Sequence, residues 1–402
     1  MARRPERASR GLLTRLLGVV LGVAIGAAGV VGTQLPLLGK TASASLSVAL
    51  AGTKGATPTW PSAGSAALTI PSLHVAVQDS PIVLPIASLT KMMTAYVALA
   101  KLPLYGAALG PCVIINDADY ATYLHAVASG QSYVKVAVGE QICERQLLEG
   151  LLVGSANNFA LILAELADHS VAAFVAEMNA TATALGLTHT HYVEPSGYKP
   201  GSVSTALEQA DLAQRVMAQP VLAQIVAMTS VDLPVAGVVT TYTPFLGHDG
   251  VVGVKSGRTA AAGGCVVLAV DFTVDGVART IYVAVLDQRG GDLLTPAGNA
   301  ALALAQSAEA GVRVLTVPSR QHAGRVGWAA SRTPVVTARQ IRVWWWAGGA
   351  PPRITLHAAR LTRPIRAGEV VGSLTVTAAT GARVALVAAA RAAPPSLLDR
   401  LR

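Results

Sequence analysis

Aromatic residues make up only 4% of this 402-residue chain and charged residues only 13%. An intrinsically disordered chain would be poor in apolar residues and rich in charge; here 52% are apolar and mean hydropathy is +0.49, which excludes that class. There are three cysteines and no Cys-x-x-Cys, so neither a zinc ribbon nor a thioredoxin-type site is supported. Cys112 and Cys143 lie in short β-like runs and could bond to each other in an oxidising compartment. Cys265, in GGCVVLAV, reads as a buried strand residue. No Gly-x-Ser-x-Gly elbow occurs, which removes the usual Ser-His-Asp hydrolase pattern. Lysine is sparse: seven against twenty-four arginines, and none after Lys255. Where arginine carries most of the charge, a retained lysine can mark a position whose group must be able to lose its proton.

Charge is unevenly spread. Residues 1–40 hold six basic groups and one acid, and residues 311–402 hold fourteen arginines and two acids, Glu369 and Asp399. The net charge of +9 therefore leaves −8 for residues 41–310. The pI of 9.7 reflects basic ends on an acidic middle, a pattern that argues against a nucleic-acid partner. Arg3, Arg4, Arg7, Arg10 and Arg15 precede a charge-free run from Leu16 to Gly39. A basic segment followed by an apolar run reads as an export signal, with the positive flank inside and everything after Lys40 exported. The run is longer than a usual signal core and near the ~20 residues that span a bilayer, so a retained single-pass anchor is favoured. A cleaved signal, with Ala42-Ser43-Ala44 as the cleavage site, is the alternative and would give a secreted protein.

The boundaries expected are a basic cytoplasmic segment at 1–15, the anchor or signal at 16–39, a linker at 40–64, a main domain at 65–310 and a β-rich domain at 311–402. Within the main domain, Ala87–Leu102, Gln146–Ala167 (interrupted at Gly150 and Gly154), Ser170–Leu185 and Thr205–Ala218 read as helices, with Thr205 and Glu208 at capping-box spacing. Val251–Lys255, Gly264–Phe272 and Ala278–Leu286 read as strands, closed by a helix near Leu293–Ala310. Helices followed by antiparallel strands give an α+β class. After Val312 come short β-like runs broken by Gly and Pro.

Ser-x-x-Lys occurs at Ser88/Lys91, Ser132/Lys135 and Ser196/Lys199. Context separates them. Ser88 opens an apolar helix, where positions i and i+3 share a face, so Lys91 can reach the hydroxyl. The helix start also aims backbone N–H groups at a developing anion. Ser132–Lys135 lies in a strand-like run that would place the two side chains on opposite faces. Ser196 sits in a turn. Ser155-Ala156-Asn157, the only Ser-x-Asn, interrupts a helical region after Gly154. Lys255-Ser256-Gly257 ends a strand, where a cation, a hydroxyl and a glycine could grip a carboxylate and let a substrate backbone lie alongside.

In the order Ser-x-x-Lys, Ser-x-Asn, Lys-Ser-Gly, these motifs form the set of β-lactamases and penicillin-binding proteins. The chain resembles the low-molecular-mass penicillin-binding D-alanyl-D-alanine carboxypeptidases. The likeness extends through PIASLTKMMTAYVAL, LLEGLLVGSANNFA, FVAEMNATATALGLTHTHYVEPSGYKPGSVSTA and HDGVVGVKSGRTAAAGGC, and through RPIRAGEVVGSLTV in the tail. It implies an antiparallel sheet with a helical cluster plus a small C-terminal all-β domain. It implies Ser88 as acylated nucleophile and Lys91 as its base. Ser155 and Asn157 would relay protons and hold the substrate amide. Lys255 and Ser256 would bind the terminal carboxylate, and the N–H groups of Ser88 and Arg258, beside Gly257, would form the oxyanion hole. No metal or cofactor would be needed. The substrate would be the stem peptide of peptidoglycan, and β-lactams would acylate the same serine. Two departures stand out: Lys-Ser-Gly replaces the usual Lys-Thr-Gly, and the segment before Ser88 lacks the family's Asp…Thr-Gly hairpin.

A β-lactamase would share the fold, but no Glu-x-x-x-Asn loop follows Ser155. A non-catalytic envelope-binding protein would use the basic tail and Trp344-Trp345-Trp346 to dock on anionic lipid or wall polymer. The preferred reading is that alternate tryptophans pack inside the β domain and the arginines are solvated. Intact hydroxyls and lysines in all three motifs favour an enzyme.

Overall fold

The computed structural model describes residues 33–34, 43–46, 56–328 and 331–393. They cluster into two compact units. Among the described residues, one comprises 56–314 with 344–351, and the other 315–328, 331–343 and 352–393 with 33–34 and Ser43–Leu46.

The first unit is built on a five-stranded antiparallel sheet. Its strands are β1 (Ser65–Ile70), β2 (Val75–Gln78), β3 (Val251–Thr259), β4 (Gly263–Val274) and β5 (Val277–Gln288), in the order β3-β4-β5-β1-β2. The central strands read as unbroken apolar runs because both faces are covered. Ala67, Cys265, Val267 and Ala284 join the main core. Their alternate neighbours Leu68, Val266 and Leu268 are also fully buried. Eight helices accompany the sheet: α1 (Thr90–Lys101), α2 (Asp117–Ala128), α3 (Glu144–Leu152), α4 (Asn157–Asp168), α5 (Val171–Ala184), α6 (Ala206–Met217), α7 (Pro220–Val226) and α8 (Leu294–Glu309). Helix α6 packs on β1 and β5, and α8 on β4 and β5. Helix α1 is apolar nearly all round, with Met92, Met93, Ala95 and Ala98 at zero exposure. Such a helix can only run through the centre of the helical layer, and α1 touches α3, α4, α5 and α6.

The region read as one interrupted helix over Gln146–Ala167 is two helices, α3 and α4, separated at 153–156. Thr205 does cap α6, accepting from the Glu208 N–H, but the Glu208 carboxylate turns instead to His189 and Thr190, so only half of the capping box forms. Ser132–Lys135 is not a strand but irregular chain.

Cys112 and Cys143 face each other across a short antiparallel pair, Cys112–Ile114 with Gln141–Cys143, and are bonded. Cys265 is free and buried in β4. The disulfide closes a loop that carries α2 and the wall at 129–135. Thirty-one residues of separation correspond to about 3–4 kcal/mol of chain-entropy stabilisation. Reductant, or the pair Cys112→Ser and Cys143→Ser, is therefore expected to lower Tm by several degrees in a thermal melt, with the same drop for both treatments.

The second unit is a seven-stranded antiparallel sheet. Its order is Thr33–Gln34, Ser43–Leu46, β6 (His322–Trp328), β7 (Ser331–Thr337), β10 (Ala382–Ala388), β9 (Val370–Thr377) and β8 (Arg353–Ala358). Ser43–Leu46 lies in the stretch read as linker, yet it pairs with Gly324–Gly327 and buries Ala44. Its small residues suit a strand as readily as a linker, which is why composition alone misplaces it. Trp344–Pro351, assigned to the β-rich domain by a boundary at 311, cluster with the first unit. The Trp346 indole N–H donates to Ala308 O, and the Arg279 guanidinium lies 5.2 Å from the Trp344 ring. Two consecutive tryptophans, Trp345 and Trp346, are buried, and in the first unit rather than alternately inside the β domain as expected, which removes them from any docking surface. The apolar segment read at 16–39 lies outside the described residues except for Thr33–Gln34, which pairs with Ser45 and Leu46. No single helix among the described residues is long and apolar enough to cross a membrane.

Candidate active site

Ser88 sits in a single 3-10 turn, Ala87–Leu89, that leads directly into α1. Ala87 takes φ +47°, a conformation that a non-glycine residue adopts only when its surroundings hold it there. The hold is visible. Gly197 lies so close beneath that a Cβ there would stand 1.8 Å from Ala87 O.

One turn of helix beyond Ser88, Lys91 is fully buried. Its Nζ lies 2.7 Å from each of three oxygens: Ser88 Oγ, Asn157 Oδ1 and Ser196 O. Two of these are carbonyl oxygens, which can only accept. A neutral amine has two N–H groups and one lone pair. If both N–H groups go to the two carbonyls, the lone pair is left for the Ser88 O–H. The arrangement fits a base poised on a nucleophile. Burial, and next the charge of Lys255, hold the Lys91 pKa well below the ordinary lysine value, against an opposing pull from Glu194.

Ser155 occupies the break between α3 and α4, at φ +56°, and Asn157 is the first residue of α4. The Asn157 N–H donates to Ser132 O, and its side-chain amide donates to Gln131 Oε1. Asn157 thus ties the helix start to the wall at 131–132 and to Lys91 at once. Lys255 Nζ donates to Ser155 Oγ at 3.0 Å and to Ser256 O at 2.8 Å. Burial pushes the Lys255 ammonium down to about 7. The Ser256 hydroxyl donates to Tyr242 O, so its oxygen can still accept. Arg258 is exposed and donates to Asp292 O.

Strand β3 is an edge strand, paired with β4 on one side only. Its other side meets the Ser88 turn at Gly257, where a Cβ would stand 2.5 Å from the Ser88 nitrogen. Only glycine permits that approach. Ser88, Ser155, Asn157, Ser256, Gly257 and Arg258 together line one cavity of about 410 Å³, while Lys91 and Lys255 are bonded to its walls from behind. All eight residues singled out in the sequence are therefore gathered at one place.

Sequence reasoning missed part of the wall. Gln131, Ser132, Tyr198 and Tyr242 line the same cavity. Ser196, set aside as a chance Ser-x-x-Lys match, supplies the carbonyl that Lys91 donates to. Glu194 fixes that carbonyl's loop by accepting from the Ser196 N–H and hydroxyl and from the Lys199 N–H. The Thr94 hydroxyl pins the same loop through Pro195 O. The available signal was the turn sequence Glu-Pro-Ser-Gly, in which a carboxylate can reach N–H groups two residues on. Among the described residues no cluster of His, Cys, Asp or Glu could hold a metal ion.

The model of the D-alanyl-D-alanine carboxypeptidase family matches residues 75–289. A D-alanyl-D-alanine endopeptidase of Pseudomonas aeruginosa is 40% identical over 144 residues, 36% of this chain and 43% of that protein. The D-alanyl-D-alanine carboxypeptidase DacB2 of Mycobacterium tuberculosis is 34% identical over 192 residues, 46% of this chain and 62% of that protein. These matches span less than two thirds of the relatives' own length. In fold, the chain is similar to penicillin binding protein 5 of Haemophilus influenzae, with TM-score 0.59 and 20% identity over 84% of this chain and 99% of that one. It is also similar to the Streptomyces K15 DD-transpeptidase, with TM-score 0.54 and 24% identity over 62% of this chain and 99% of that one.

Proposed function

Because the chain belongs to the D-alanyl-D-alanine carboxypeptidase family, we propose that it is a serine-type D-Ala-D-Ala carboxypeptidase acting on peptidoglycan stem peptides. The observation that carries this is the Lys91 nitrogen, 2.7 Å from Ser88 Oγ and from two carbonyl oxygens that can only accept. Lys91 takes the Ser88 proton as the oxygen attacks the carbonyl of the penultimate D-alanine. The N–H groups of Ser88 and Arg258 face the developing oxyanion. Lys91 returns the proton towards the leaving amine by way of the Ser155 hydroxyl. The C–N bond breaks, D-alanine leaves, and an ester remains on Ser88. Water then gives a proton to neutral Lys91 and attacks the ester, and Ser88 recovers its proton. Lys255 and Ser256 bind the terminal carboxylate. β-Lactams acylate Ser88 by the same steps, and the ester persists because its hydrolysis is slow.

The test is labelling of the purified chain with a fluorescent penicillin, alongside D-alanine release from a synthetic stem pentapeptide. Persistent label together with release supports the reading. Label that turns over quickly without D-alanine release replaces it with a β-lactamase. No label on folded protein replaces it with a non-catalytic envelope-binding protein.

The 40% identical endopeptidase favours a second reading, cleavage of a D-alanyl cross-link in which the leaving amine belongs to another stem. A cross-linked dimeric muropeptide offered beside the pentapeptide separates the two.

The lysine pair sets the pH response. Lys91 must be neutral to act, so acylation rises with pH through its lowered pKa. Lys255 must be charged to hold a carboxylate, and its pKa is about 7. For a substrate with a terminal carboxylate, kcat/KM is expected to fall as pH rises past about 7. The matching amide-terminated ester, lacking the carboxylate, is expected to lose that alkaline limb.

We also place the chain in the cell envelope, held by the apolar segment at 16–39 with its catalytic unit outside the cytoplasm. The pattern Arg3–Arg15 followed by a charge-free run supports this. Flotation of the full chain with neutral lipid vesicles tests it.

A further inference from the structure

The second unit carries a charge distribution that the proposed reaction does not use. Between 315 and 393, leaving out 344–351, the described residues include eleven arginines, no lysine and one acid, Glu369. All eleven arginines are exposed. On the seven-stranded sheet, Arg325, Arg332, Arg353 and Arg383 adjoin the buried residues Val326, Thr333, Ile354 and Val384. Side chains alternate across a strand, so these four arginines stand on the outward face.

The loop between β8 and β9 adds a concavity of about 1000 Å³ lined by Arg363, Arg366, Arg391 and Glu369. Glu369 accepts from the Arg363 guanidinium and from the Arg366 N–H, which shapes the loop and neutralises one of the three cations. The Arg366 and Arg391 side chains are exposed and line the concavity. Guanidinium in place of ammonium throughout suits phosphate oxygens, which it can meet with two parallel N–H groups.

We propose that this unit docks on anionic lipid headgroups, with a headgroup phosphate seated among Arg363, Arg366 and Arg391. The tether selects lipid over other polyanions, and here the inference rests on the membrane anchor proposed above. The apolar run ends at Gly32. Thr33–Gln34 and Ser43–Leu46 already pair at the edge of this same sheet, next to β6. A span that ends at Gly32 therefore brings one edge of the sheet to the bilayer surface; docking lays the outward arginine face along that surface, so that the loop between β8 and β9, at the opposite edge, also comes within the ~10 Å over which surface charge acts at 0.1 M salt.

The experiment uses the full chain with vesicles of phosphatidylcholine alone or of phosphatidylcholine mixed with phosphatidylglycerol. Flotation with neutral vesicles reports the anchor. Trypsin cleavage after Arg360 and Arg366 reports docking. Cleavage is expected to be roughly tenfold slower on anionic than on neutral vesicles, and the protection to vanish near 1 M salt, where the screening length falls to ~3 Å. The pair Arg363→Gln and Arg391→Gln, which keeps both cleavage sites, is expected to abolish most of the protection while leaving penicillin labelling of Ser88 unchanged. If the anchor is wrong but docking is right, the chain floats only with anionic vesicles. Equal cleavage on both vesicle types overturns the proposal. So does protection by a soluble glycerol-phosphate polymer without protection by anionic vesicles.

Discussion

Replacing Lys91 with alanine is expected to slow acylation of Ser88 by about 10²–10⁴-fold, the usual range for loss of a positioned general base. Fluorescent penicillin labelling over time, compared with wild type and Ser88→Ala, measures it. The same change is expected to leave Tm unchanged or higher. Lys91 is fully buried and its charged form is disfavoured there by burial and by Lys255. Removing it relieves that penalty, although it leaves Asn157 Oδ1 and Ser196 O without a donor. Activity and stability thus move apart, as they do where a site holds a group under electrostatic strain. Lys91→Arg is expected to fail as completely as Lys91→Ala, because a guanidinium keeps its proton at any working pH. A variant that kept more than a tenth of the wild-type labelling rate would remove Lys91 from the role of base.

Gly257→Val is the second large effect, and it acts through space rather than charge. Any Cβ at 257 would stand 2.5 Å from the Ser88 nitrogen, so the strand or the nucleophile's turn has to move. That nitrogen is one of the two N–H groups assigned to the oxyanion. Displacing it is expected to cost about 10²–10³ in acylation rate, the cost of losing one such donor. The fold should survive, because β3 keeps its ladder with β4, which runs from Val251 to Thr259. The discriminating measurements are the labelling rate and a thermal melt on the same preparation. Full labelling in Gly257→Val would separate the Ser88 N–H from oxyanion binding.

How much of this was legible in the sequence depends on the kind of signal each element leaves. Helix α1 and strands β4 and β5 are buried on nearly every side, so their apolar runs announce them; of β3 only the start at 251–255 was legible, because the polar KSGRT carries it on to Thr259. Helix α2 was not read at all. Its sequence, DADYATYLHAVA, buries only Asp119 and Ala126, and leaves no apolar stripe to recognise. What starts it is chemistry: Asn116 and Asp119 satisfy each other's backbone N–H groups in a capping box. That Asn-x-x-Asp spacing was available as a cue. Strands β6 and β7 hide for a different reason, since glycines and prolines punctuate HAGRVGW and SRTPVVT.

At the site, all eight residues picked out by the three motifs line or back the cavity, while the wall formed by Gln131, Ser132, Tyr198 and Tyr242 lay outside them. The motifs could not locate what acts through the main chain. The Ser196 carbonyl has no side-chain signature, and its place beside Lys91 depends on how Glu194 folds the loop 105 residues away in sequence. Gln131 is likewise reached only because Asn157 reaches back to it. The motif fixes identities, and the packing fixes partners.

The open edge of β3 has a further consequence, for the molecule as a solute. A strand with one unpaired side is a template for any extended peptide, including a second unfolded chain, and most proteins blunt such edges. Here the blunting is done by the nucleophile's own turn, which closes on the edge at Gly257, and by the exposed cation of Arg258 next to it. An edge covered at Gly257 and carrying a cation beside it offers a poor start for a growing β-aggregate. Seating Ser88 against the strand therefore serves solubility as well as catalysis. A variant that pushes the turn away, such as Gly257→Val, would make the protein more prone to concentration-dependent association as well as slower.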